Sequence, residues 1–388
     1  MPWQPKSIMN QKAEFVMRAQ HCDNFRALCR EYGISARTGY KWVGRFEEGG
    51  IGALGDRSRR PQSSPRGLAE GVVCALVRLK TAHEHWGPRK ILELHLREGG
   101  RGVSESSVKR VLEKSGLVRK RRRRAAREGG RLAGGRRGLA PNEVWTVDFK
   151  GWWHDAGGRC EPLTVRDEYS RYVLELRALA DARGGTVREC FERLFERHGL
   201  PAAIRSDNGA PFASANGLLG LSRLSAWWLA LGIDLERGRP GCPQDNGAHE
   251  RLHLDVRRQL QEAGYGQRQA AFDLWRREFN EERPHEALGM RTPAELYRDS
   301  QRAYGGTPDQ LDYEGIASRR VSPKGTIKFE ARRVFLSTAL AGWDVGLAPR
   351  PDGNFEVLFT RLPLGILAPA SGEFIPARPA TPLPGMKP

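Results

Sequence analysis

The stretch VWTVDF, Val144–Phe149, restricts the fold more than any other part of the chain. It alternates as a strand, with Val144, Thr146 and Asp148 on one face, Trp145, Val147 and Phe149 on the other, and both faces largely apolar. A strand apolar on both sides belongs inside a layered α/β domain with helices on each face. One residue breaks the pattern. Asp148 carries charge into a strand otherwise fit for burial, which is costly unless the carboxylate is paired or binds a cation.

The residues that follow extend the same architecture. CEPLTVRDEYS and RYVLELRAL read as the next two strands, GGTVRECFERLFERHG as a helix, and AAIRSDNG as a short strand ending in a turn. Asp207 therefore sits at a strand end, where α/β sheets meet their ligands. Leu218–Gly232 reads as one apolar helix and IDLERGRP as a short strand. After the break at Gly241-Cys242-Pro243, Asp245 and Asn246 can cap a helix running to about Ala263, with Leu252, Val256 and Leu260 on its buried face. Glu250 falls in its first turns, where the helix dipole favours an ionised carboxylate. From Gln267 to Arg298 the chain reads as a further helix, a turn at Arg283-Pro284-His285 and a closing helix start at TPAELY.

Upstream the pattern is helical. QKAEFVMRAQ, NFRALCREYG and SARTGYKWVGRF form a first three-helix set, with Gly33 permitting a tight turn and Ser35 placed to cap the third helix. Leu28, Tyr32, Ile34 and Trp42 fall at the spacing that packs two short helices across each other. That leaves Arg37, Thr38, Lys41 and Arg45 outward, as in a recognition helix. A linker rich in Gly, Pro, Ser and Arg follows. GVVCALVRLKTAH, PRKILELHLRE and SESSVKRVLEKSG make a second set, with Pro88 in a first helical turn, Ser104 as an N-cap, and Ser106, Ser107, Lys109 and Arg110 on its last helix as outward candidates for binding DNA.

Next comes VRKRRRRAAREGGRLAGGRRG, with a single acid, Glu128, among its cations. Self-repulsion predicts an extended segment, and Arg119, Lys120, Arg121, Arg122, Arg123 and Arg124 are candidates for binding a phosphate backbone. After Gly315 the period changes again. GTIKF, RVFL, DVGLA, FEVLF and LGILA are short strands separated by Pro- and Gly-bearing turns, which predicts a small β-barrel followed by a Pro-rich disordered tail.

Composition narrows the partner. The chain has 388 residues, a formal net charge of +18 and a pI near 10.1, a surplus concentrated in particular segments and suited to a polyanion. A solubilising surface is the plainer account of such charge. The six cysteines show no CxxC pair, so reduced thiols rather than a zinc ribbon or disulfide framework are expected. The N-terminus lacks a signal-peptide core, and no apolar run approaches membrane-spanning length. These features predict a soluble cytoplasmic protein with no membrane partner.

VWTVDFKGWW, LTVRDEYSRYVLELRAL, IRSDNGAPF, PGCPQDNGAHERLH and FNEERPHEALGMRTPAELY, taken together and in this order, resemble DDE-type insertion-sequence transposases with a retroviral-integrase-like core. The resemblance runs from about residue 141 to 298, and the flanking helical and β-rich segments extend it over nearly the whole chain. It implies a multidomain protein: helix-turn-helix modules at 1–50 and 67–118, linkers at 51–66 and 119–140, a ribonuclease H-like core at 141–300, a β-barrel at 301–370 and a disordered tail at 371–388. It also implies a catalytic triad of Asp148, Asp207 and Glu250 holding two Mg²⁺ ions, with Mn²⁺ able to substitute. Transposon-end and target DNA would be the partners, with self-association on DNA. The interval between Asp207 and Glu250 is longer than in many relatives of this group, the extra residues falling in GAPFASANGLLGLSRLSAWWLALG.

Three further readings compete. Asp167 also follows a strand, but the resemblance treats its position as structural, and Asp245 is better placed as a cap. His249-Glu250-Arg251-Leu252-His253 satisfies the H-E-x-x-H pattern of zinc metalloproteases, though without an evident third ligand; otherwise these histidines sit beside DNA or pack locally. The non-enzyme reading is a DNA-binding regulator with an inactive integrase-like core.

Overall fold

The computed structural model describes residues 7–56, 67–118, 137–149, 151–155, 158–238, 247–260 and 268–377. Asp245, the run Arg119–Arg124 and the end of the tail lie outside them. The chain divides into two compact units, Met1–Leu68 and Ala69–Pro388.

The first unit holds α1 (Ile8–Ala19), α2 (Phe25–Glu31) and α3 (Ala36–Gly49). Each helix begins at a side-chain cap. Ser7, Asn24 and Ser35 accept the backbone N–H groups of Asn10, Ala27 and Thr38, satisfying donors a helix start leaves open. Gly33, at φ 65°, makes the turn between α2 and α3. Phe15, Val16, Leu28, Cys29 and Leu54 form the core, and the Phe15 ring meets Phe25, Tyr32 and Trp42 edge-on.

The second unit opens with α4 (Glu70–Ala82), α5 (Pro88–Arg97) and α6 (Glu105–Lys114), packed on Leu76, Leu79, Ile91, Val108 and Leu112. Pro88 stands in the first turn of α5, and Ser104 caps α6. This helical set is pinned to the domain that follows. Arg89 donates to Glu286 at 3.1 Å, and Arg97 donates to Glu295 at 3.2 Å and to the Met290 carbonyl at 2.8 Å.

The central sheet is built from β1 (Val144–Phe149), β2 (Trp153–Asp155), β3 (Gly158–Asp167) and β4 (Val173–Leu179), then β5 (Ala203–Ser206) after α7 (Gly184–His198), and β6 (Asp234–Arg237) after α8 (Arg223–Ala230). β3 pairs antiparallel with β1, β2 and β4, whereas β5 lies parallel to β1 and β6 parallel to β5. Both faces are covered, as the two-sided apolar pattern of β1 requires. Trp145, Val147, Leu163 and Val165 pack with α7 and α8 around Phe191, Phe195, Trp227 and Trp228. On the opposite face Cys160, Val173 and Leu176 meet α9 (Gly247–Leu260) and α10 (Arg268–Arg277) through Leu252, Val256, Phe272 and Trp275. A π turn at Glu278–Glu282 and the short α11 (Pro293–Leu296) close the domain. The single helix expected over Leu218–Gly232 is interrupted: Leu219 (φ 51°) and Gly220 (φ 70°) turn the chain, and Ser222 starts α8 with a reciprocal cap on Ser225.

The expected closed β-barrel is not what the last segment forms. β7 (Ala317–Arg320), β10 (Asp344–Pro349), β11 (Phe355–Phe359), β12 (Leu362–Ala368) and β13 (Glu373–Pro376) make an open sheet in the order β13-β12-β11-β10-β7. β8 (Thr326–Phe329) and β9 (Arg332–Phe335) form a separate hairpin. After β7, Val321 still donates to the Trp343 carbonyl, but Pro323 lacks an N–H and Gly325 (φ 77°) turns the chain off the sheet before β8 begins. β13 falls within the tail expected to be disordered from 371; its pairing with β12 corrects that reading for Glu373–Pro376. Across the described residues, no helix is long and apolar enough to cross a membrane.

Candidate active site

Register decides which acids can meet. Val144 lies opposite Ala203, Trp145 opposite Ile204 and Thr146 opposite Arg205 in the parallel β1–β5 pair. Carried two residues further, that register sets Asp207, just past the end of β5, beside Asp148, near the end of β1. Neighbouring strands lie roughly 4.8 Å apart. Asp207 is exposed, and its carboxylate accepts the Gly209 N–H at 3.1 Å, which holds the turn that carries it.

The third acid lies on α9. Glu250 follows His249 in the first turns of that helix, and His249 is the helix's anchor on the sheet, with no exposed surface. Its Nε2 lies 2.7 Å from the Thr146 hydroxyl, and its Nδ1 lies 3.1 Å from that of Thr164. One turn on, His253 Nε2 approaches the same Thr164 oxygen at 2.9 Å. Thr146 and Thr164 belong to β1 and β3, and Thr164 stands opposite Asp148 in the ladder.

Counting protons fixes the direction of these bonds. A hydroxyl has one proton to give, and that of Thr164 goes to the Asp148 carbonyl at 3.0 Å, because a carbonyl can only accept. The two imidazoles must then donate to Thr164, through Nδ1–H of His249 and Nε2–H of His253. Burial, then the positive charge of Arg166, holds His249 well below the usual histidine range, so the ring is neutral and its Nε2 accepts. Thr146 is its donor, closer to this nitrogen than to the Arg166 carbonyl at 3.3 Å.

Among the described residues, Asp148, His249 and His253 form a group able to hold a metal, their ligand atoms lying within 4.8 Å of one another. The H-E-x-x-H spacing thus brings its two histidines to an acid from another element. Asp207 is not a member of that group. Both nitrogens of His249 already face hydroxyls, whereas the strand-end acids offer the hard oxygens that Mg²⁺ prefers. The donor set therefore fits an oxygen-ligated divalent ion better than a histidine-ligated one.

Asp167 has a different role. Fully buried, it accepts from the Asn142 N–H at 2.8 Å and from the N–H and hydroxyl of Ser170 at 2.8 and 2.6 Å, tying the start of β1 to the β3–β4 turn. Burial pushes its carboxyl up, against these hydrogen bonds.

The chain is also similar to known proteins. Residues 138–243 and 231–293 match integrase core domains, residues 11–62 a helix-turn-helix domain, and residues 38–112 a homeodomain-like domain. An uncharacterized 31.7 kDa protein of insertion element IS407 from Burkholderia multivorans is 30% identical over 236 residues, 58% of this chain and 80% of that one. The chain belongs to the insertion-sequence transposases with an integrase-like core. This transposase is also 28% identical over 244 residues to an uncharacterized 39.2 kDa protein of insertion element IS476 from Xanthomonas euvesicatoria, covering 61% of its own length and 68% of that protein. The catalytic core domain of BIV integrase, 26% identical, aligns with 40% of the transposase and 93% of its own chain at a TM-score of 0.32.

The residues expected to face outward on the transposase's helices divide. Arg37 and Lys41 on α3, and Ser106, Lys109 and Arg110 on α6, are exposed; Thr38, Arg45 and Ser107 are half-buried. Thr38 and Ser107 also serve their own helix starts, through Ser35 and Ser104. Thr146 and Thr164 were invisible as site residues in the sequence. The only available signal was the i, i+4 spacing of His249 and His253, which puts two imidazoles on one helix face without naming what they meet.

Proposed function

We propose that this transposase cleaves phosphodiester bonds at the ends of its element and joins the freed 3′-OH to target DNA, with Asp148, Asp207 and Glu250 holding two Mg²⁺ ions that Mn²⁺ can replace. The observation that supports the reading is the β1–β5 register, which, extended two residues past its last pair, brings two acids next to each other at the carboxyl end of two central strands, under a helix whose anchoring residue precedes the third. When bound, such ions activate the attacking oxygen and relieve charge on the leaving oxygen of an in-line displacement. Asp148, from a buried strand, supplies a fixed carboxylate. Asp207, on an exposed turn, supplies one that faces solvent where a DNA backbone can reach it.

In this reading DNA is held by Arg37, Thr38, Lys41 and Arg45 of the first helical module, by Ser106, Ser107, Lys109 and Arg110 of the second, and by Arg119–Arg124 between the second module and the core. A reaction on two element ends requires copies of the chain to associate on DNA, in the cytoplasm with the nucleoid.

A supercoiled plasmid assay with Mg²⁺ and cognate end DNA tests the proposal. Asp148→Asn, Asp207→Asn and Glu250→Gln should each abolish nicking and joining while end binding persists. Joining by any of these variants removes that acid from the mechanism. A second reading, zinc hydrolysis, is favoured by the gathering of Asp148, His249 and His253. The burial of His249 between two threonines opposes it, and stoichiometric zinc in the purified protein would revive it.

A further inference from the structure

We infer that Thr164, with His249 and His253, is the positioning device that sets the distance between Asp148 and the start of α9, and so the fit of the acid site to its divalent ions. The inference rests on the proposed role of Asp148 and Glu250 but concerns residues outside that triad. Three groups, one from β1 and two from α9, converge on the Thr164 hydroxyl. It donates to the Asp148 carbonyl at 3.0 Å, and it faces His249 Nδ1 at 3.1 Å and His253 Nε2 at 2.9 Å. One donor and two acceptor positions exhaust what a hydroxyl can offer, so the junction is saturated.

Its placement is what gives it a function. Thr164 sits opposite Asp148 in the β1–β3 ladder, so the bond to that carbonyl fixes the backbone from which the Asp148 carboxylate projects. His249 and His253 flank Glu250 in sequence, one before it and one a turn beyond. Holding both rings on one strand oxygen fixes the pitch and height of α9 where Glu250 leaves it. Thr146 locks His249 from the other side at 2.7 Å, so the ring cannot rotate without losing a bond in the sheet–helix interior. A residue that orients metal-binding groups without touching the metal alters affinity as well as stability when it is replaced.

Thr164→Val keeps the shape and removes the hydroxyl, whereas Thr164→Ser keeps the hydroxyl. Mn²⁺ binding to the purified full chain, read by EPR without DNA, should weaken roughly 10–100-fold in Thr164→Val and return to wild-type affinity in Thr164→Ser. The Mg²⁺ concentration for half-maximal nicking should move the same way, with end-DNA affinity unchanged. If Thr164→Val does not fold, half-buried His253 provides the second pair: His253→Leu should weaken Mn²⁺ binding and His253→Gln, which keeps an N–H near the Nε2 position, should restore it. Wild-type Mn²⁺ affinity in a folded Thr164→Val, or in His253→Leu, overturns the inference. Full activity in Asp148→Asn would instead overturn the proposed function, so the two failures are distinguishable.

Discussion

Arg205 bridges Glu168 and Glu236 two residues before Asp207. Its Nη1 lies 2.7 Å from Glu168, and its Nε and Nη2 lie 3.0 and 2.7 Å from Glu236, with only 7% of the side chain exposed. The strand that delivers Asp207 is thus clamped by charge from both sides. Replacing Arg205 with Met leaves two carboxylates facing each other at a site largely closed to water, a loss of about 3–5 kcal/mol. Urea denaturation should show the lowered midpoint. Arg205→Lys, unable to span both partners, should fall between, and a midpoint equal to wild type in Arg205→Met would refute the clamp.

Asn142 is a second junction. Its side-chain oxygen accepts from the Trp145 indole and the Tyr297 hydroxyl, both at 3.0 Å, and its amide donates to the Arg298 carbonyl at 2.8 Å. It also holds φ 64°, a conformation Asn tolerates better than most residues. Asn142→Ala should cost about 2–4 kcal/mol, because two buried donors lose their acceptor. A chemical melt of the second unit measures it, and a change under the noise of that melt would count against the junction.

His285 predicts a pH dependence. Burial, then the charges of Lys90 and Arg283, lowers its pKa from 6.5 to about 3. The unfolded chain therefore binds a proton that the folded chain refuses, and the stability contributed by the neutral ring is present above pH 6.5 and lost as pH falls from there towards 3. Relative to His285→Gln, wild-type stability should fall by about 1.4 kcal/mol per pH unit across that window. Parallel curves for the two proteins would exclude His285 as the source.

Gly39 tests the first unit by itself. A Cβ there would meet Cys29 Sγ at 2.7 Å and the rings of Phe15 and Phe25 at 3.0 Å, because Gly39 is buried where α3 packs against those side chains. Leucine at this position should overpack the site by about 1–3 kcal/mol. Hydrogen exchange should rise across α1–α3 while the second unit keeps its protection. Unchanged protection of α1–α3 in Gly39→Leu would contradict this packing.

Much of the architecture was readable because it depends on near neighbours in the chain. Ser35 and Ser104 were legible as caps, and Pro88 as a helix-starting residue, since each acts within one turn. Asp148 stood out because one acid interrupts a strand apolar on both faces. β7 and β13 were not legible: ASRR is exposed at every position, and EFIP sits among prolines, so neither carries an alternating apolar face. The barrel reading failed for a related reason. Strand pattern reports which residues can pair, not whether the two outer edges of a sheet reach each other.

The sequence by itself determined most of the elements, their order and the acids worth testing, because helix periodicity, strand alternation and capping are local energies. Only the tertiary structure decided that β5 lies parallel to β1 in the register that extends to set Asp207 beside Asp148, and that His249 reaches Thr146 across 103 residues. Those choices belong to long-range packing. They arise when covering both faces of one sheet leaves a buried imidazole and two buried hydroxyls to find partners in each other, in His253 and in the backbone around them.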